Sequence, residues 1–88
     1  MEIGWDEAKN QKLKAERGLS FEDIAQELRA GRVLDVVDHP SRSAQRIFIV
    51  KVRNLFVMAP FVMDGDGVFL KKAYVSRKAR KKFGGNNE

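Results

Sequence analysis

The sequence predicts an α+β domain: two N-terminal helices packed on a four-stranded antiparallel sheet, closed by a short C-terminal helical turn. Three observations predict it. Helical periodicity and cap residues are confined to the chain before Gly31. Runs of β-branched and aromatic residues, separated by short turns, fill the region from Val33 to Val75. A dense basic run from Ser76 to Phe83 then ends the pattern, so helices come first and strands follow, the order of an α+β layer fold.

Asp6 is placed to cap a first helix from Glu7 to Arg17, with Glu7 in the first turn and Lys14 and Arg17 in the last, as the helix dipole favours. Its apolar face is narrow, with Trp5 and Leu13 as expected anchors, and Gly18 is the expected stop. Ser20 opens a second helix, with Asp23 three residues on in the manner of a capping box. Phe21, Ile24, Ala25 and Leu28 fall at i, i+3, i+4 and i+7, a core stripe, and Gly31 ends the helix.

After Gly31 the period changes. Val33–Val37 reads as a strand and Asp38–Ser43 as a loop. Arg46–Val52 is a β-branched strand, Arg53-Asn54 a tight turn, and Leu55–Val62 a third strand. Pro60 within it argues for an edge, a bulge or an early end. Asp64-Gly65-Asp66-Gly67 is a hairpin loop, and Val68–Val75 is the fourth strand. Short loops between consecutive strands favour an antiparallel meander. One domain is expected over 1–83, with a disordered tail over 84–88.

Composition limits the function. Apolar residues make up 43% of the 88 and charged residues 33%, the balance of a folded chain rather than a disordered one. The absence of cysteine excludes disulfides, thiolate metal ligands and a cysteine nucleophile. No signal peptide and no apolar span of about 20 residues is visible, so a cytoplasmic location without membrane attachment is expected. No cofactor and no metal are expected. Asp64-Gly65-Asp66-Gly67 lacks the further oxygen ligands of a calcium loop. His39 stands alone in a polar loop, and Asp35 and Asp38 straddle a strand end, so neither makes a convincing catalytic set.

The charge is uneven. Residues 1–32 carry six bases and seven acids, whereas 33–88 carry eleven bases and five acids. From Lys71 to Phe83 there are seven bases and no acid, the footprint of a partner rich in phosphate. A solvated cationic end is the alternative. The nucleic-acid-binding residues expected are Lys51, Lys71, Lys72, Tyr74, Ser76, Lys78, Arg80, Lys81 and Lys82. Arg46 and Arg77 are the expected catalytic pair, because guanidinium forks onto phosphate oxygens and stabilises a phosphorane. Tyr74 can stack on a base or shuttle a proton. No general base is assigned.

Four segments carry a resemblance: Trp5-Asp6-Glu7-Ala8-Lys9, Gly18-Leu19-Ser20-Phe21-Glu22-Asp23, Arg46-Ile47-Phe48-Ile49 and Ser76-Arg77-Lys78-Ala79. In order and spacing they resemble the BrnT toxins of bacterial type II toxin–antitoxin pairs. Leu13 stands at the family's Asn, Arg17 at its His before the glycine, and Val75 at the Ser of its I-S-A-R motif. The resemblance implies a RelE-like fold and a metal-independent ribonuclease that stops translation. It also implies RNA as substrate and a small cognate antitoxin as partner. The alternative is a catalytically degenerate relative that only binds nucleic acid or protein.

Overall fold

Asp6 begins the first helix, as its chemistry requires, but it also ends a strand. In the computed structural model, which describes residues 1–84, Ile3–Trp5 forms β1 and Glu7–Arg17 forms α1. The Asp6 carboxylate accepts the backbone N–H groups of Ala8 (2.8 Å) and Lys9 (3.3 Å). Gly18, with φ of 66°, takes the left-handed cap that ends α1. Trp5 therefore anchors β1 rather than α1. Its ring lies 6.0 Å from that of Phe21, and its indole N–H donates to Glu7.

Ser20 caps α2 (Phe21–Arg29) by accepting the Asp23 N–H at 3.1 Å. The expected stripe of Phe21, Ile24, Ala25 and Leu28 is buried. The two helices are locked by Asn10, which is fully buried. Its Oδ1 accepts the Phe21 N–H (2.8 Å), and its Nδ2 donates to Glu22 (2.8 Å). An apolar stripe is not what holds α1; this polar clasp and half-buried Leu13 are.

The strands are β2 (Val33–Asp38), β3 (Arg46–Val52), β4 (Leu55–Asp64), β5 (Gly67–Leu70) and β6 (Tyr74–Val75). The sheet runs β1-β5-β4-β3-β2, with β6 beside β4. The expectation of four antiparallel strands is corrected to a mixed sheet of six, because β1 joins β5 in parallel, Ile3 opposite Val68 and Trp5 opposite Leu70. Gly67 permits that junction: a Cβ there would collide with the Glu2 carbonyl. Two-residue turns close the β3–β4 and β4–β5 hairpins, at Arg53-Asn54 and Gly65-Asp66, with φ of 54° at Arg53 and 60° at Gly65. Arg53 is held there by donating to the Gly18 carbonyl (2.6 Å) and to Asp23 (3.3 Å). On the outer edge, the Asp35 carboxylate accepts the Val36 N–H at 2.8 Å, which occupies a donor that another strand would need.

Pro60 neither ends nor bulges its strand and is not at an edge. It sits inside the ten-residue central β4, opposite Ile47. Its carbonyl accepts the Lys71 N–H (2.7 Å), so its missing donor faces the same neighbour. The ladder fails at that point. The expected fourth strand, Val68–Val75, is therefore two strands: β5 ends at Leu70 and β6 resumes with Tyr74 opposite Met58. Residues 71–73 leave the sheet between them.

The core has two faces. Leu19, Phe21, Ile24 and Leu28 pack on Val50, Val52, Val57, Ala59, Phe61, Val68 and Leu70. The other face holds Ile49, Phe56 and Ala79, flanked by Val37, Met58 and Phe83. α3 (Arg77–Phe83) thus covers the face opposite α1 and α2, making three layers where one helical layer was expected. Ser76 caps α3 through the Ala79 N–H (3.1 Å). Of the expected tail, only Gly84 falls within the described residues; its N–H closes α3 on the Arg80 carbonyl. No helix among these residues is long and apolar enough to cross a membrane.

Candidate nucleic-acid interface

The break at Pro60 shapes a strongly cationic hollow. As residues 71–73 leave the sheet they run beside α1, and Lys9 Nζ donates to the Lys71 carbonyl at 3.4 Å. Between them lies a cleft of about 450 Å³. One wall is Lys9, Lys12, Leu13, Glu16 and Arg17, which fall at i, i+3, i+4, i+7 and i+8 along α1. Lys71, Lys72, Ala73 and Tyr74 form the other wall, over Phe21. A smaller hollow of about 290 Å³ adjoins it, where Lys9, Lys71 and Lys72 meet Pro60 and the loop residues His39, Arg42 and Gln45. The two hollows have Lys9, Lys71 and Lys72 in common, and the pair makes up the groove.

Six bases line this groove: Lys9, Lys12, Arg17, Arg42, Lys71 and Lys72. None of them takes part in an ion pair among the described residues. Those pairs join Lys14 to Glu22, Arg32 to Glu27, Arg46 to Asp38 and Arg53 to Asp23. Glu7 and Glu22 of the helical layer are engaged by hydrogen bonds and do not line the groove. Hydrogen bonds from Gln11, Trp5 and Asn10 hold the Glu7 carboxyl below its ordinary pKa. A bond from Asn10 does the same for Glu22. Among the described residues, Glu16 is the one carboxylate that lines the groove.

The loop wall is ordered by His39. Its Nδ1 accepts the backbone N–H groups of Ser41 and Arg42, each at 3.1 Å. The His39 N–H donates to the Gln45 carbonyl, which fixes the loop ends. With Nδ1 used as an acceptor, the neutral ring carries its proton on Nε2 and presents a donor there.

The expected site residues fall into separate places. Lys71, Lys72 and Tyr74 meet in the groove, with Lys72 Nζ 5.7 Å from the centre of the Tyr74 ring. Lys51 and Arg80 instead line a hollow of about 540 Å³ on the α3 face, with Asn54, Phe56 and Phe83. Lys51 Nζ lies 5.5 Å from the Phe56 ring. Ser76 is occupied as the cap of α3, while Arg77, Lys78, Lys81 and Lys82 project from it into solvent.

Arg46 and Arg77 are not brought together. Arg46 starts β3 opposite Phe61 of β4 and pairs with Asp38 at 3.4 Å. Arg77 follows Ser76, whose N–H is bonded to the Phe56 carbonyl at the other end of β4. That is on the order of 17 Å of strand. In β3, Arg46 alternates with Phe48 and Val50 toward α1 and α2, whereas α3 lies on the opposite face.

Lys9, Lys12, Arg17 and Arg42 were not among the expected site residues. For Lys9, Lys12 and Arg17 the signal was their place at i, i+3 and i+8 on one side of α1, concealed by the acids Glu7 and Glu16 of the same helix, whereas Arg42 stands alone in its loop. The groove can hold phosphates, offer Tyr74 to a base, and stabilise negative charge that develops on a bound phosphate. Among the described residues, no group of three His, Cys, Asp or Glu side chains is close enough to hold a metal ion. No protein-family model, curated protein or solved structure matches the chain.

Proposed function

We propose that this protein binds single-stranded RNA in the groove between α1 and residues 71–74 and cleaves it with its own side chains. In the cell it acts as a BrnT-like, RelE-type toxin that arrests translation and is neutralised by a small antitoxin. The observation that carries the binding reading is the convergence, beside Tyr74, of six bases that take part in no ion pair among the described residues. Polyanion binding by such residues releases counterions, and an aromatic side chain favours unpaired bases over a duplex. The five exposed bases of α3 add a positive field that draws the polyanion in from a distance. The toxin reading rests on the resemblance in the four segments around Trp5, Gly18, Arg46 and Arg77.

The test is induced expression of the chain in a bacterium, with growth and protein synthesis followed in parallel. Arrest by the wild type, relieved by Lys71→Ala/Lys72→Ala in a protein that still folds, is the expected result. Normal growth with folded protein would remove the toxin reading and leave the second one, a binding module without catalysis. What favours that second reading is the separation of Arg46 from Arg77.

A further inference from the structure

Cleavage of RNA by its own 2′-hydroxyl requires a group that takes the hydroxyl proton. The groove offers few. Its Lys and Arg side chains are taken up as phosphate ligands and Tyr74 as the stacking group, and His39 already spends Nδ1 on the Ser41 and Arg42 N–H groups. Glu16 remains. It lies on the cleft side of α1, one residue before Arg17 and one turn beyond Lys12. No base lies within ion-pair distance of its carboxylate among the described residues, so no such pair has to break before it accepts a proton. Its exposure leaves it open to a bound ribose.

We propose that Glu16 is the general base of the groove, acting on the 2′-hydroxyl of a ribonucleotide whose phosphate is held by Lys71, Lys72 and Arg17. This rests on the ribonuclease reading above. The 2′-oxygen gives its proton to the Glu16 carboxylate and forms a bond to phosphorus, and the bond from phosphorus to the 5′-oxygen breaks. The leaving oxygen takes a proton from water, and the hydroxide produced is neutralised when Glu16 releases the proton it took. The products are a 2′,3′-cyclic phosphate and a 5′-hydroxyl. The surrounding cations balance the second negative charge of the phosphorane.

The charge of Glu16 makes the test directional. A carboxylate among phosphate-binding cations opposes RNA binding, so Glu16→Gln is expected to bind a labelled mixed-sequence single-stranded RNA as tightly as the wild type, or more tightly. The same variant is expected to cleave at least about a hundredfold more slowly, on free RNA and on messenger RNA in a translating bacterial extract. Glu16→Asp, which keeps the carboxylate one methylene short, should recover part of the rate. Thermal melting of each variant checks that the fold is kept. Cleavage by Glu16→Gln within tenfold of the wild type overturns the assignment. So does a wild type that binds RNA and leaves it intact, or products that lack the cyclic phosphate. A wild type that does not bind RNA overturns the groove reading as well.

Discussion

Asn10→Ala is the substitution that tests the architecture most severely. Asn10 is fully buried, and its Oδ1 is the acceptor for the Phe21 N–H at the start of α2. Alanine cannot accept, and Phe21 is itself almost wholly buried, so water does not readily replace the lost partner. An unpaired buried donor costs about 1–3 kcal/mol. Glu22 is exposed, so water can replace its bond from Asn10 at little cost. A chain of this size has a total stability of roughly 4–13 kcal/mol, so the loss is a large fraction of it. At about 4–8 °C per kcal/mol, a loss of about 2 kcal/mol lowers Tm by roughly 8–16 °C. Lys12→Ala, on the exposed side of the same helix and in no ion pair among the described residues, should stay within about 0.5 kcal/mol of the wild type. Thermal and urea melts of the three proteins decide it. An Asn10→Ala protein as stable as Lys12→Ala would refute the polar clasp as the device that holds α1. Because α1 is one wall of the groove, the same variant should also bind RNA more weakly.

Two further predictions concern the fold. The carboxyls of Glu7, Glu22 and Glu27 titrate in the folded protein below their ordinary value of 4.5, chiefly through hydrogen bonds from Gln11, Asn10 and Arg32 respectively. A depressed folded pKa stabilises above the unfolded value and is lost as pH falls through the folded one, so urea midpoints should decline as pH drops below about 4.5. The decline should be shallower in Glu7→Gln/Glu22→Gln, and an equal slope would contradict it. Gly67→Ala drives a Cβ into the Glu2 carbonyl and should destabilise by about 1–3 kcal/mol, with loss of hydrogen-exchange protection at Val68, whose N–H donates to that carbonyl. Unchanged protection would mean that β1 does not depend on this close approach.

What the sequence disclosed is what local chemistry decides. Asp6, Gly18 and Ser20 act on atoms within a few residues of themselves, and each caps the helix it was expected to cap. Gly65 turns its hairpin for the same reason. β1 was illegible because three residues carry no usable period and their partners lie more than sixty positions away. The effect of Pro60 depends on which strand stands opposite its missing N–H, a fact of pairing and not of residue type. The groove was half legible. Lys71, Lys72 and Tyr74 stood out in a run without acids, whereas Lys9, Lys12 and Arg17 lay in a segment whose charges nearly cancel. That cancellation is an average around α1; in three dimensions Glu7 and Glu22 bond on one side with Lys14 beside Glu22, while Lys9, Lys12 and Arg17 line the other with Glu16 among them. Arg46 and Arg77 share a chemistry, but only the register of β4 reveals that they sit at opposite ends of it.

The central claim is that the groove is the RNA-binding surface, and the salt dependence of binding tests it most directly. If all six bases of the groove contact phosphates, the slope of log affinity against log salt for single-stranded RNA is about −4, or roughly a 300-fold loss between about 50 and 200 mM. Lys71→Ala/Lys72→Ala should make the slope shallower by about 1.4, whereas Arg46→Ala, outside the groove, should leave it unchanged. An unaltered slope in the lysine double variant, or a larger change in Arg46→Ala, would place the binding surface elsewhere.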